Sequence, residues 1–367
     1  MDYFFELIQV ALGNRKNLSG PPTEKEWKNL YKKAEEQAVV GLALTGLERL
    51  PTIQRPPQYM LLQWIGISEI IRQQNAIIDK AVVHLYESLK DVGVRLFVFK
   101  GQTMAHLYPD SGLRQSGDID FYCYQEDWGK ATKWLKENWK VDLNLLSSQK
   151  DIEFDYEDVA YEMHKQLSLF TYPKHSRYWE KIVMPEILSH PYMVMLNGYN
   201  IPTIAPVYNV LYIFVHIFHH LISDGIGLRQ FIDWMLLIES VIWDKEETAL
   251  LVKHLEGIGL KTAFGGLGAV LTDYLGLEEK KFPLKISKEA HRYAPKLMAN
   301  IIQLGSFGHN QPYSHASGVM HGIQHLIRIL KQARLFGHYA PAETWWKIPQ
   351  MIQWWGKKMY LMKINAK

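Results

Sequence analysis

Two short strand-like segments, Val94–Phe99 and Asp118–Tyr124, interrupt a chain in which most other apolar patterns have helical spacing. Val94–Phe99 is a compact run of β-branched and aromatic residues, which is typical of a buried strand. Turn-forming residues at Pro109–Gly112 separate the two segments. Adjacent strands need a sheet, so these segments exclude an all-helical bundle and predict an α+β fold.

The regions on both sides of these strands have helical patterns. Thr23 and Glu26 have the spacing of a capping box, which predicts a helix start. Gln58–Lys90 carries an apolar stripe at helical spacing and predicts one long helix. The C-terminal part predicts helices at Val207–Ser223, Leu228–Trp243, Glu246–Gly257, Lys261–Leu275, Ser287–Leu304, Gly318–Leu335 and Ala342–Met362.

The segment between these helical regions predicts a small mixed β-sheet. Trp128–Asn138 has a helical pattern, and Lys140–Leu146, Ile152–Tyr156 and Ala160–Phe170 are interpreted as further strands. We therefore predict an α+β core at 93–205, an N-terminal helical region at 1–92 and a C-terminal helical domain at 206–367.

Charge and cysteine content narrow the classes of partner and compartment. The 41 basic and 38 acidic residues nearly cancel, so long nucleic acid is not the expected partner. Cys123 is the single cysteine, which excludes an intrachain disulfide and predicts a cytoplasmic protein. The N-terminus lacks the pattern of a signal peptide, and no uninterrupted apolar run reaches the roughly 18 residues that predict a membrane span.

The second strand presents two carboxylates on one face. Because side chains alternate along a strand, Asp118 and Asp120 point one way, and Ile119, Phe121 and Cys123 point into the core. Two neighbouring carboxylates repel each other unless a cation lies between them, and oxygen ligands in a partly open site suit Mg²⁺. The alternative is a strand start with two solvated aspartates.

Residues before the second strand suit a phosphate group. Lys100 and Gly101 end the first strand and precede a short helix, whose backbone N–H groups we expect to face phosphate. Arg114, Ser116 and Gly117 lead directly into the aspartates, so they add a guanidinium and a flexible turn beside the same group.

The stretch from Phe99 to Phe121, FKGQTMAHLYPDSGLRQSGDIDF, resembles the signature of uncharacterised bacterial nucleotidyltransferases of the DNA polymerase β superfamily. That superfamily joins a glycine-containing turn to an Asp-x-Asp strand and takes a third carboxylate from a later strand. Glu162 is the best match for the third carboxylate. If Ala160–Phe170 is a strand, Glu162 and His164 share one face.

The chain departs from the superfamily pattern at three points. Gly101 is followed by Gln102 rather than glycine or serine, and 17 positions separate Gly101 from Asp118, a longer gap than usual. The third carboxylate is Glu162 rather than an aspartate, and its extra methylene changes the reach toward a metal.

The resemblance implies transfer of a nucleotide from a nucleoside triphosphate such as ATP. Asp118 and Asp120 would hold two Mg²⁺ or Mn²⁺ ions, and Glu162 would bind one of them and activate the acceptor. Lys100, Gly101, Arg114, Ser116 and Gly117 would lie beside the phosphates, with His164 also near the nucleotide. The acceptor stays open: a small metabolite, a sugar, a protein hydroxyl or an RNA end. The alternative is a catalytically inactive nucleotide-binding or scaffold protein on the same fold.

Two further patterns have more than one interpretation. His216 and His220, at i and i+4 on a helix, either bind zinc, line the cleft together with Arg229, or pack in the core. The C-terminal stretch Trp345–Lys367 mixes tryptophan, methionine and lysine. It is either a helix that packs within the protein or on a second subunit, or one that contacts a membrane surface.

Overall fold

The computed structural model describes residues 2–144, 150–223, 225–305 and 319–351. The architecture is α+β, as predicted: a small mixed sheet with helices before and after it in the chain. The helices are α1 (Tyr3–Leu12), α2 (Glu24–Glu36), α3 (Val40–Arg49), α4 (Gln58–Asp91), α5 (Gln102–Ala105), α6 (Trp128–Trp134), α7 (Pro173–Tyr178), α8 (Met184–Ser189), α9 (Pro206–Leu221), α10 (Leu228–Ser240), α11 (Lys245–Gly257), α12 (Lys261–Val270), α13 (Lys288–Leu304) and α14 (Val319–Phe336).

Local signals in the N-terminal region have the predicted outcome. Helix α2 begins at the predicted capping box, in which Thr23 N–H donates to the Glu26 carboxylate at 2.7 Å and Glu26 N–H donates to the Thr23 hydroxyl at 3.4 Å. Helix α4 spans Gln58–Asp91, one residue longer than predicted, and its apolar stripe is buried.

The sheet has four strands in the order β1-β2-β4-β3: β1 (Leu96–Phe99), β2 (Asp118–Cys123), β3 (Asp151–Tyr156) and β4 (Val159–His164). Strand β2 runs antiparallel to β1 and parallel to β4, and β3 runs antiparallel to β4. The face that carries Ile119, Phe121 and Cys123 forms a core with α4 and α6. The opposite face of the sheet is therefore the one that carries the aspartates.

Two strand predictions differ from the structure, and one pair of strands was not predicted. In the predicted strand Lys140–Leu146, residues 140–144 form no strand, because a π-helical turn carries α6 on to Trp139, and Lys140 then takes a left-handed conformation with φ of 57°. Residues 145 and 146 lie outside the described residues. Strand β4 ends at His164 rather than at Phe170. A hairpin of β5 (Pro191–Leu196) and β6 (Tyr199–Ile204) follows, joined at an Asn-Gly turn whose two residues have positive φ.

The C-terminal helices form the larger core. Helix α9 is buried along most of its length and packs against α10, and its Tyr212 ring contacts Phe99 at the end of β1 with centroids 5.3 Å apart. Residues 341–351 are helical, and in this segment Trp345 and Trp346 are exposed whereas Met351 is buried. The remainder of the predicted C-terminal helix, residues 352–367, lies outside the described residues. Among the described helices, none is long and apolar enough to span a membrane.

Candidate active site

The register of the sheet brings the predicted carboxylates together. Asp120 on β2 is paired with Glu162 on β4, and Tyr122 is paired with His164. Because the pairing keeps paired residues on the same face, Asp118, Asp120, Glu162 and His164 all lie on the face opposite the small core. The alternation that the sequence predicts for β2 and for the first half of β4 is therefore present.

Asp120 is the centre of this cluster. Its side chain is 4% exposed, and its Oδ1 atom accepts hydrogen bonds from Lys100 Nζ at 2.7 Å and pairs with His164 Nε2 at 2.9 Å. His164 Nε2 also lies 3.2 Å from Glu162 Oε2. Burial alone would raise the pKa of Asp120, but the Lys100 ammonium and the His164 ring hold that pKa below its usual range.

Asp120, Glu162 and His164 have the composition of a metal site. Each of them offers one ligand atom, and these atoms all lie within 4.8 Å of one another. Two carboxylates with one imidazole suit Mn²⁺ and other transition metals as well as Mg²⁺. Asp118 is not one of these three, although it lies on the same face. Burial, with the neighbouring Asp120 and Glu162 carboxylates, raises the pKa of Asp118 to about 6.

The turn after β1 directs Lys100 at Asp120. Both Lys100 (φ 58°) and Gly101 (φ 41°) have left-handed backbone conformations, which glycine adopts at little cost and lysine does not. The Lys100 side chain is 13% exposed. Burial would lower the pKa of Lys100, but Asp120 and the other acidic groups around it raise that pKa above its ordinary value. Lys100 therefore stays a cation in the site.

Arg114 and Ser116 hold the loop that leads into β2. Arg114 donates from Nε to Asp233 Oδ1 at 2.9 Å and from a terminal nitrogen to Asp233 Oδ2 at 2.7 Å, and its other terminal nitrogen lies 3.0 Å from the Ser116 hydroxyl. The Ser116 hydroxyl in turn donates to the Gln102 side chain. The predicted phosphate contacts of Arg114 are thus replaced, in this state, by a buried ion pair that fixes the loop.

Asp233 on α10 is the residue that sequence reasoning missed as the partner of Arg114. The two are 119 positions apart, and no local pattern links them. Gln115 follows Arg114 in the loop and contacts Arg229, a predicted site residue. Arg229 donates a hydrogen bond to the Gln115 carbonyl at 2.5 Å. Burial, with Arg114 nearby, lowers the pKa of Arg229. Gly117, the last residue of the loop, has open space where a Cβ would lie.

The predicted histidines of α9 lie side by side. The His216 and His220 rings are 4.5 Å apart between centroids. Burial and, after it, the charge of Lys100 lower the pKa of His216 well below its usual value, so a neutral ring faces the site. In the described part of the chain, the one three-ligand metal group is Asp120–Glu162–His164. A zinc site at His216 and His220 therefore has no third ligand there, and the interpretation that they line the cleft stays a prediction.

One of the comparisons with known proteins shows a family. Residues 23–276 match a family model described as uncharacterised nucleotidyltransferase. None of the curated proteins matches the chain. Among solved structures, an antigenic nucleotidyltransferase-like protein from Paracoccidioides brasiliensis is 11% identical, with 57% of this chain and 94% of that chain covered and a TM-score of 0.34. That likeness is too distant for a comparison of site residues.

Proposed function

The chain belongs to the uncharacterised nucleotidyltransferase family, and we propose that it moves a nucleotide from a nucleoside triphosphate to an acceptor hydroxyl by means of Asp118, Asp120 and Glu162. The observation that carries this proposal is the pairing of Asp120 with Glu162 across β2 and β4, with Lys100 at 2.7 Å from the same carboxylate. Carboxylates from two strands suit a divalent metal, and a cation beside them suits a reaction that gathers negative charge.

The donor set fits a divalent metal. Asp118, Asp120 and Glu162 would hold it, and His164 is an additional ligand for Mn²⁺ because its Nε2 atom already lies between two carboxylates. When bound, such an ion supplies positive charge to the phosphate oxygens. Both Asp120 contacts use Oδ1, and no described residue hydrogen-bonds to its Oδ2. That oxygen is the one we assign to the metal.

The proposed step is an in-line displacement at the α-phosphorus. The acceptor oxygen forms a bond to this phosphorus, and the bond from the phosphorus to the bridging oxygen breaks, so that pyrophosphate leaves with the electron pair. Glu162 takes the acceptor proton, since its side chain, at 27% exposed, is far more accessible than that of Asp120. Lys100 and Arg229 supply positive charge toward the leaving pyrophosphate.

The other predicted residues act on position rather than on substrate. Arg114 and Ser116 hold the loop before Asp118 through Asp233 and Gln102. Gly101 allows the turn that directs Lys100 into the site. This division of roles separates residues whose loss should reduce transfer from residues whose loss should first reduce stability.

The direct test is transfer of label from α-labelled ribonucleoside triphosphates. The full chain is incubated with Mg²⁺ or Mn²⁺ and a bacterial cell extract as the source of acceptors. We expect labelled product with the wild type and none with a variant that combines Asp118→Ala and Asp120→Ala. Asp155→Ala, an exposed aspartate on the same sheet, is the matched control and should transfer normally. Transfer by the double variant would show that the carboxylates are wrongly assigned.

A second candidate function is nucleotide binding without turnover. It is favoured by one observation: Asp120 already has Lys100 and His164 as partners, so its charge is neutralised without a metal. A silent protein of this kind would bind a triphosphate with the same cations but release no pyrophosphate. Measurement of binding and of pyrophosphate release on one preparation separates the two candidates.

A further inference from the structure

A cavity of about 290 Å³ lies beside the candidate metal ligands, beyond Asp120 on β2 and His164 on β4. Tyr122 follows Asp120 by two positions on the same face of β2 and is paired with His164, and Lys165 and Gln166 follow His164 directly. Tyr122, Lys165 and Gln166 line the cavity, together with Trp179 and Met184 from the segment beyond β4. The cavity therefore lies at the C-terminal ends of β2 and β4.

The cations of the site lie at the other end of the strands. Lys100 follows the last residue of β1, which is antiparallel to β2, so it lies at the end where β2 begins. Arg229 contacts the Gln115 carbonyl, three positions before β2. The metal-binding carboxylates thus separate a cationic end from the end that holds the cavity.

An in-line displacement uses two opposite sides of the phosphorus: pyrophosphate leaves on one side and the acceptor oxygen arrives on the other. The leaving pyrophosphate carries the larger negative charge and belongs at the cationic end, near Lys100 and Arg229. We propose that the cavity at the opposite end binds the acceptor, and that the acceptor is a compact, uncharged molecule with a hydroxyl group. This inference rests on the proposed function and adds the acceptor class to it.

The lining supports this class of molecule. Tyr122, Trp179 and Met184 are buried and supply aromatic and aliphatic surface for a small organic body. Glu126 and Glu180 are exposed and also line the cavity, where Lys165 and Arg95, which pairs with Glu126 at 3.1 Å, balance their charge. A cavity of about 290 Å³ without excess charge suits a compact organic molecule better than the end of a polynucleotide.

Two lining residues carry buried polar atoms that have no hydrogen-bonding partner among the described residues. These atoms are the side-chain oxygen of Gln166 and the indole nitrogen of Trp179, which is 1% exposed. Buried polar atoms nearly always have a partner, and each one left without a partner costs roughly 1–3 kcal/mol. Because both residues line the cavity, we infer that their side chains turn toward the polar groups of a bound acceptor.

The test follows where the label goes and which variants change it. The full chain is incubated with α-labelled ribonucleoside triphosphates, Mn²⁺ or Mg²⁺ and a bacterial cell extract, and ultrafiltration then separates small molecules from macromolecules. Chromatography then resolves labelled products from the unreacted triphosphate, and we expect labelled product in the small-molecule fraction. Met184→Trp, which fills the cavity, and Gln166→Leu, which removes the amide without adding bulk, should each slow this transfer by about tenfold or more. Met193→Trp, at an exposed methionine of β5, is the matched control.

Equilibrium binding of the triphosphate is measured on the same variants and should match the wild type, which also shows that the variants are folded. Three results would overturn the acceptor cavity: label on RNA or protein instead of small molecules, transfer at the wild-type rate by both cavity variants, or a loss of triphosphate affinity equal to the loss of transfer, which would assign the cavity to the nucleobase. Absence of labelled product from both fractions would instead refute nucleotidyl transfer itself.

Discussion

Two buried aspartates of this protein, Asp233 and Asp120, have the same burial and the same kind of partner, but they are used differently. Their exposed fractions are 3% and 4%, and each has a cationic nitrogen at 2.7 Å. Asp233 uses both oxygens, because Arg114 donates to each of them and Tyr108 adds a hydrogen bond at 2.7 Å to Oδ1. Asp120 receives both of its contacts on Oδ1.

Under the proposed function, this difference separates a structural carboxylate from one that binds a ligand. A carboxylate whose oxygens are all engaged by the protein contributes to stability only as long as its partners are present. A carboxylate engaged on one side holds its orientation and still offers an oxygen to a metal. Substitutions in the two clusters should therefore affect different properties.

Asp233→Ala should cause the largest loss of stability. It would leave the Arg114 guanidinium buried without a countercharge and the Tyr108 hydroxyl without its acceptor. Breaking a buried ion pair on one side costs about 3–5 kcal/mol. Chemical denaturation measures this cost, and the exposed Asp155→Ala should change the free energy of unfolding by less than about 0.5 kcal/mol. Equal curves for the two variants would refute the structural role of Asp233.

Asp118→Asn should change the two properties in opposite directions. Burial and the carboxylates of Asp120 and Glu162 raise the pKa of Asp118 to about 6, so at pH 8 its ionised form is less favourable in the native than in the unfolded state. Removal of this charge should raise the free energy of unfolding of the metal-free protein at pH 8 by on the order of 1 kcal/mol. Below about pH 4 the gain should disappear, since the carboxyl is then protonated in both states.

The same variant should lose nucleotidyl transfer by about 100-fold or more, because even residues behind metal ligands change activity or affinity by 10- to 100-fold. Denaturation in the presence of EDTA and the label-transfer assay provide the two measurements. If Asp118→Asn were less stable than the wild type and still transferred label, Asp118 would have a structural role like that of Asp233. The proposed difference between the two clusters would then be wrong.

Glu343 is another buried carboxylate whose oxygens are bonded within the protein, and we expect its substitution to have a smaller effect on stability than that of Asp233. Its Oε2 accepts from the Thr171 N–H at 2.8 Å and the Thr171 hydroxyl at 2.7 Å, and its Oε1 contacts His175 at 2.7 Å. Glu343→Gln removes the charge and converts one acceptor into a donor, so we expect a loss of about 1–3 kcal/mol in the free energy of unfolding. Transfer of label should be unchanged. Glu289→Gln, an exposed glutamate of α13, should leave both properties unchanged.

Local patterns predicted the parts of the fold that depend on neighbouring residues. The 34-residue helix α4 and strand β2 were predicted within one residue of each end, because their apolar periods are long and undisturbed. The hairpin β5–β6 was not predicted, although its Asn197–Gly198 turn is a strong hairpin signal. Its exposed Tyr192 and Met193 do not alternate with polar residues, and this obscured the strand pattern.

The candidate site likewise contains residues that local sequence patterns predict and contacts that they do not. Asp118, Asp120 and Glu162 could be predicted from strand alternation and from the family resemblance, because both signals lie within short segments of the sequence. The pairing of Arg114 with Asp233 depends on how α10 packs against the loop before β2, and no short segment contains this information. Sequence reasoning therefore assigned Arg114 to phosphate, whereas in the folded protein its donors are already used.

His219 has the smallest expected effect, because burial of its ring is opposed by the charge of Glu343. It pairs with the Ser168 hydroxyl at 3.0 Å, and burial lowers its pKa to about 3. As the pH falls from about 6.5 toward 3, the unfolded chain binds a proton at this residue that the native protein does not, so the free energy of unfolding falls. At about pH 5.5 this contribution is roughly 1 kcal/mol. His219→Asn, which can still pair with Ser168, should flatten the pH dependence of stability in this window, and His190→Asn, at an exposed histidine, should not. If both variants kept the wild-type slope, the acid sensitivity of the fold would come from groups other than His219.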